Sequence, residues 1–289
     1  MTLSAADVEA PTPGANTVFP MATRLAARGS TALALVGSLV IWLALLAPLV
    51  AFGRHLSPHA IRAALGPPGA LDPLYWSLAA SAIALAAMLI FGTPLAYLLA
   101  RGRLPWPRVI ETGIIIPLML PPLVIGLLLV FLIGPDGTFG SALARVHLTG
   151  TNTFFALIVA EFYEAAPYYV LGANAAFASV DVRLEQDATL LGDRQSRALR
   201  RITVPLAAPG LSTALATAWA RAMGAFGAVI IVAYNPHGLP IEIFVSLQEN
   251  GLSGALPFAL LLVVAALPLP ILAYLWSARA RRRLAAAPS

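Results

Sequence analysis

Apolar and polar positions fall in long blocks along this chain, not in the short alternations of a soluble domain. Six runs of mostly apolar residues stand out, at about 31–52, 74–99, 109–133, 153–178, 209–233 and 256–277. A helix needs roughly 20 such residues to cross a bilayer. Within lipid, each backbone polar group must find its partner inside the segment, so runs of this length predict helices and not strands. The pattern therefore predicts an all-α membrane protein of six transmembrane helices. A flexible tail is expected over 1–30, the membrane domain over 31–277 and a short basic tail over 278–289. The apolar core of the first run exceeds the roughly 7–15 residues of a secretory signal, and no small-residue cleavage site follows it, so it is read as a span.

The polar blocks carry the finer information. Between the fourth and fifth runs, residues 183–210 read RLEQDATLLGDRQSRALRRITVPLAAPG. Leu184, Ala188 and Leu191 recur at helical spacing among Arg183, Glu185, Gln186 and Asp187. Gly192 suits a left-handed helix cap. Asp193 then suits the N-cap of a second helix whose apolar side is Ala198, Leu199 and Ile202, with Pro205 and Pro209 ending it. From spacing alone this helix–glycine–helix element reads as an amphipathic loop on anionic lipid or as a docking surface. A second block, 234–255, opens with the turn signals Asn235-Pro236 and His237-Gly238. It predicts a short interfacial helix over 240–249, with Ile241, Phe244, Val245 and Leu247 beside Glu242, Ser246, Gln248 and Glu249, closed by Asn250-Gly251.

Composition sharpens this picture. Only 11% of residues are charged and 59% are hydrophobic, against about 25% charged in soluble domains. The chain has no cysteine, which removes disulfides, thiolate metal sites and cysteine nucleophiles. All 18 basic residues are arginine. They form no stripe interleaved with exposed aromatics, so nucleic-acid binding is set aside. Their distribution fixes an orientation. With the N-terminus inside, Arg24 and Arg28, the 101–108 cluster, the 183–201 cluster and the final 279–283 cluster all face the cytosol. Only Arg54, Arg62 and Arg145 face out. This bias predicts that both termini and the 183–210 loop are cytoplasmic.

Prolines punctuate the spans at Pro94, Pro117, Pro121, Pro122, Pro167, Pro257, Pro268 and Pro270, either as packing irregularities or as hinges. The cluster IPLMLPPLVIG over 116–126 is the foremost hinge candidate. Charges inside the bilayer are costly and mark candidate sites. Arg221 is placed near mid-depth of the fifth span, with Glu161 and Glu164 at matching depth on one face of the fourth. The favoured reading is an internal brace in which Arg221 pairs with Glu164 or Glu161. The alternative is that Arg221 faces the pathway and offers its guanidinium to an oxyanion. A metal site or proton relay lacks a histidine in any span. His55, His59, His147 and His237 fall in outside loops and read as solvated, and the tryptophans read largely as interface anchors. An intramembrane enzyme would need a nucleophile and base together at depth, and Ser81 and the other in-span serines have no histidine near.

The 183–210 loop resembles the EAA coupling loop of ABC-importer permeases, whose pattern is Glu-Ala-Ala, three residues, Gly, nine residues, Ile, one residue, Leu-Pro. Gly192, Ile202 and Pro205 hold the expected offsets, Val204 stands for Leu and Ala188 for the second Ala. Gln186 stands where Glu is usual and Asp187 where the first Ala is, and Glu185 lies one place early. EFYEAAPYYVLGANAAFASVDVRLEQDATLLGD and RAMGAFGAVIIVAYNP resemble the molybdate/tungstate branch, with sulfate permeases as close relatives, although that branch often carries an acidic residue where Ala225 stands. The resemblance implies the fold of a type I importer permease and transport of an oxyanion, molybdate or tungstate before sulfate or thiosulfate. It also implies an inner-membrane homodimer, two cytosolic ABC ATPase subunits that hold ATP and Mg, an external substrate-binding protein, and no cofactor in this chain. It marks Glu185, Gln186, Asp187, Ala188, Gly192, Arg197, Ile202 and Pro205 as ATPase-coupling residues. Tyr234, Asn235, Pro236 and Glu242 become candidates for an outer gate or binding-protein contact. A proton-coupled carrier would have no use for the 183–210 element.

Overall fold

The computed structural model describes residues 20–145 and 149–285. Most of the expected tail before residue 30, His147 and residues 286–289 lie outside it, as do the side chains of Arg24, Arg28 and Arg281 to Arg283. Among the described residues every regular element is helical. The chain divides into two units, 1–56 and 57–289.

The first unit contributes α1 (Pro20–His55), a continuous apolar helix with Pro48 in its interior. It begins at Pro20, earlier than the apolar run, because helix geometry tolerates proline in its first turn.

The second unit begins with α2 (Pro58–Leu65) and α3 (Asp72–Ala87). A π-helical stretch, Met88–Gly92, joins α3 to α4 (Thr93–Ala100). This places the extra backbone turn just before Pro94, whose missing N–H and ring would otherwise break an α-helical ladder. The third apolar run is broken into α5 (Pro107–Met119) and α6 (Pro122–Ile133), bent by 114°. Leu120 and Pro121 leave the helical region there (ψ 140° and 137°). Pro121-Pro122 enforces this, since a residue before proline is driven to extended backbone. The proline cluster thus breaks the expected third span into two arms. A short α7 (Gly140–Ala144) follows.

The fourth span is α8 (Phe154–Ala178), capped by Thr153, whose side chain accepts from the Ala156 N–H at 3.2 Å. After it come α9 (Val182–Leu190), α10 (Gln195–Ala198), a second π-helical stretch Leu199–Thr203, and α11 (Val204–Met223). Pro205 and Pro209 do not stop the helix as expected. Pro205 sits in the first turn of α11, directly after the π-helical stretch, where its missing donor is least costly. Nor does the fifth span reach 233. It ends at Met223, and Gly224 leads into irregular backbone and then α12 (Val229–Val232). The last elements are α13 (Leu239–Ala266) and α14 (Pro268–Ala285). Gly251 breaks α13 with φ 67°, where the sequence places the end of the interfacial helix.

Five helices are long and apolar enough to cross a membrane, or six with the bent pair α5–α6 taken as one span. Helices in lipid pack through close contact of small residues more than through hydrophobic exclusion. The α8–α11 interface follows this rule. A Cβ placed on Gly172 would lie 2.7 Å from that of Ala214, and one on Gly210 2.6 Å from that of Ala176. Around this contact a core forms from Met88, Tyr97, Tyr169, Val170 and Phe177. A second core gathers Ile125, Leu129, Leu157, Val229, Val232 and Ile241.

Candidate functional site

The loop between α8 and α11 forms two helices about a glycine, as its sequence predicts. Asp181 caps α9 by accepting from the Arg183 N–H at 2.9 Å. Gly192 ends it at φ 93°, with Gly192 N–H bonded to Thr189 O and Asp193 N–H to Ala188 O. Asp193 is not the N-cap of the second helix. Arg194 holds that position, and the Asp193 carboxylate pairs with Arg197 at 3.0 Å on the surface.

The large apolar residues of α9 are exposed and one of its carboxylates is buried. Leu184 is 42% exposed, and Leu190 and Leu191 are 84% and 89% exposed at the tip of the loop. Glu185 turns inward and is buried. Its carboxylate accepts from Arg101 Nε at 3.0 Å and Nη2 at 2.5 Å, from the Tyr97 hydroxyl at 2.9 Å and from the Thr203 hydroxyl at 2.6 Å. Arg101 also donates to the Phe177 and Val180 carbonyls at 3.1 and 3.2 Å, at the C-terminal end of α8, where a cation is favourable. One buried ion pair therefore ties together the end of α4, the end of α8, α9 and the π-helical entry to α11. Burial alone raises the Glu185 carboxyl, but the bonds from Arg101, Thr203 and Tyr97, together with the Arg101 charge, outweigh it and hold the group below its ordinary value. Glu185 thus does not lie on the outer face of the loop.

Gln186 and Thr189 line a cleft of about 220 Å³ with Arg103 and Gln195. Asp187 and Pro205 are exposed, Ala188 and Ile202 half-buried. The outer face therefore combines bare leucines with polar groups, and among the described residues nothing covers the leucines. Sequence spacing located Gly192, but nothing local pointed to Arg101 or Tyr97, which lie more than eighty positions from Glu185.

A second polar cluster lies between α8 and α11. Glu161 accepts from the Ser81 hydroxyl at 2.7 Å and is 2% exposed. Glu164 accepts from the Ala228 N–H at 3.1 Å. Arg221 Nη2 stands 3.6 Å from Glu164, and its guanidinium lies 4.9 Å from the Tyr168 ring centre. The expected partners are brought together, but the Arg221–Glu164 pair is longer than a hydrogen bond. Arg221 lies in the last turn of α11, because that helix ends at Met223, short of the expected 233.

At the 234–242 segment the Asn235-Pro236 peptide is cis. The Tyr234 ring packs edge-on against His237 at 4.8 Å. Glu242 reaches His237 Nδ1 at 3.4 Å and accepts from the Ser246 hydroxyl at 3.1 Å, so His237 is not simply solvated. Trp219 also departs from an interface role, donating to the Ala265 carbonyl at 3.3 Å.

Comparison with known proteins places these features. The family model for binding-protein-dependent transport system inner membrane components matches residues 92–285, and the chain belongs to this family. Over 187 residues it is 40% identical to a probable molybdenum ABC transporter permease protein of Haloferax volcanii, covering 65% of this chain and 68% of that one. It is 32% identical over 215 residues to the molybdenum transport system permease protein ModB of Escherichia coli K12, covering 72% and 93%. Among solved structures, a bacterial ABC transporter involved in import of the acidic polysaccharide alginate shares the fold, with a TM-score of 0.66, 18% identity and coverage of 90% and 99%.

Proposed function

We propose that this chain is the permease subunit of an ATP-driven importer, forming the pathway for an oxyanion, molybdate or tungstate, that an external binding protein delivers. Two copies enclose the pathway, and two ATPase subunits dock on the 183–205 loops in the cytosol. Both termini lie on that side of a bacterial inner membrane.

The loop carries this reading. Gly192 takes the left-handed turn, with Ile202 and Pro205 at the coupling-loop offsets, and Leu190 and Leu191 stand bare at its tip. Such leucines suit a cleft on a partner, whose approach would cover them. The Glu185–Arg101 tie links the loop to three spans, so a displacement of the loop moves α4, α8 and α11 together. Substrate class rests on the relatives, which are named as molybdenum or molybdate/tungstate permeases. Gln186, Asp187 and Arg197 are the polar groups offered to the ATPase, while Tyr234, Asn235, Pro236 and Glu242 form the candidate outer contact for the binding protein.

The test is reconstitution with the cognate ATPase and binding protein in proteoliposomes. Uptake of molybdate or tungstate that requires ATP and the binding protein is the expected result. Uptake of sulfate alone would move the substrate. ATPase capture that survives changes at both Gly192 and Asp187 would remove the docking role. Because the chain has no cysteine, single cysteines at 194 and 253 report sidedness directly, the first labelled only from the cytosol.

A further inference from the structure

We propose that Arg221 is an intramembrane contact for the transported oxyanion. This rests on the permease reading above and adds a residue to it. The α8–α11 register, with Gly210 against Ala176 and Ala214 against Gly172, brings Arg221 level with residues 164–168. These lie near the middle of the 25-residue α8, so the guanidinium is at membrane depth.

Three observations separate Arg221 from a structural brace. First, its donors are unused. Guanidinium carries five N–H donors, yet among the described residues none meets an acceptor within hydrogen-bond distance. Nε is buried without a partner, and Glu164 is 3.6 Å away. Glu164 Oε1 is engaged by the Ala228 N–H and Glu161 Oε2 by Ser81, while Glu164 Oε2 faces Arg221 as an ion pair without a hydrogen bond. Second, the Arg221 side chain is 41% exposed. A charged group exposed at this depth faces water or protein, not acyl chains. Third, α11 ends there, and exposed Gly224 begins a stretch of irregular backbone. Open backbone at membrane depth is tolerated only where it is covered by protein or lines a watery path. The guanidinium carbon lies 4.9 Å from the Tyr168 ring centre, a cation–π contact that uses none of the N–H donors. A planar guanidinium with unsatisfied N–H donors suits the oxygens of a tetrahedral oxyanion.

The experiment uses the full complex in proteoliposomes with loaded binding protein, and compares Arg221→Gln, Arg221→Lys, Glu164→Gln and the Arg221→Gln/Glu164→Gln pair. Arg221→Gln should lower the initial rate of molybdate uptake roughly ten- to a hundredfold, the scale of a lost charge-assisted bond pair. Assembly and ATPase stimulation by the loaded binding protein should persist. Glu164→Gln should stay within about threefold of wild type. Wild-type uptake by Arg221→Gln overturns the proposal. So does equal loss in Glu164→Gln with recovery in the pair, the signature of a brace. If Arg221→Gln does not assemble, Arg221→Lys decides. It keeps the charge without the planar fork, so weakened uptake in an assembled complex supports the contact and undiminished uptake overturns it. A wild-type complex that moves no oxyanion but does move another solute defeats the permease substrate and this contact together. Normal wild-type uptake with an indifferent Arg221 defeats the contact alone.

Discussion

Replacing Glu185 by alanine is the most direct probe of the tie beneath the loop. The change removes the acceptor of four hydrogen bonds, from Arg101 Nε and Nη2, Tyr97 and Thr203. It leaves a guanidinium whose side chain is only 3% exposed without its counter-charge. Breaking one side of a buried pair costs about 3–5 kcal/mol. Arg101 keeps the Phe177 and Val180 carbonyls, which places the expected loss near the lower end, about 3 kcal/mol. For a domain of comparable size this is roughly 6–12 °C in apparent midpoint. The assay is tryptophan fluorescence during heating of the detergent-purified protein at one fixed scan rate, since unfolding of such proteins is rarely reversible. The pH dependence gives an internal control. The folded Glu185 carboxyl lies below its ordinary value, so its contribution is fully present above the unfolded value of about 4.3 and is lost as pH falls through the lowered folded value. The gap between wild type and Glu185→Ala should therefore stay constant from neutral pH down to about 5.5 and close only below about 4.5. A variant that melts within about 1 °C of wild type at neutral pH would refute the reasoning. A gap that narrows already between pH 7 and 6 would refute it as well.

Other consequences are open to similar tests. Gly192→Val places a β-branched residue at φ 93° in otherwise open space. It should cost about 1–2 kcal/mol through backbone conformation alone and weaken ATPase capture, with Gly192→Asn milder in both. Gly210→Leu drives a side chain into Ala176 and should separate α8 from α11. Destabilisation of about 1–3 kcal/mol or failure to assemble is expected, read by the monodispersity of the purified complex. Ser77→Ala removes the hydroxyl that accepts the buried Leu239 N–H at 2.8 Å. It should cost about 1–3 kcal/mol and raise protease or hydrogen-exchange sensitivity at the start of α13, while Ser77→Thr should be milder at the hydrogen bond.

The sequence by itself determined the helical, apolar character of the spans, because block hydropathy is a local property that lipid reads directly. It also placed the left-handed turn at Gly192 and the break at Asn250-Gly251, since a positive φ restricts residue type at a single position. It located the hinge cluster at Pro117–Pro122 but not its 114° bend, whose size depends on how α5 and α6 then pack. Tertiary structure decided which way α9 faces. Periodicity sets Leu184, Ala188 and Leu191 apart from Glu185 but does not say which of them turns inward. Arg101, Tyr97 and Thr203, brought from remote positions, form a polar seat that takes Glu185 inside. The same limit applies to Arg221. Its depth and neighbouring carboxylates were legible from span positions, and a brace was the natural reading. Only the packed helices reveal that Ala228 and Ser81 take one oxygen of each carboxylate, leaving Arg221 at 3.6 Å from Glu164 with no hydrogen bond. Hydropathy is summed along the chain, whereas hydrogen-bond partners are chosen across it, and a single sequence carries the first and not the second.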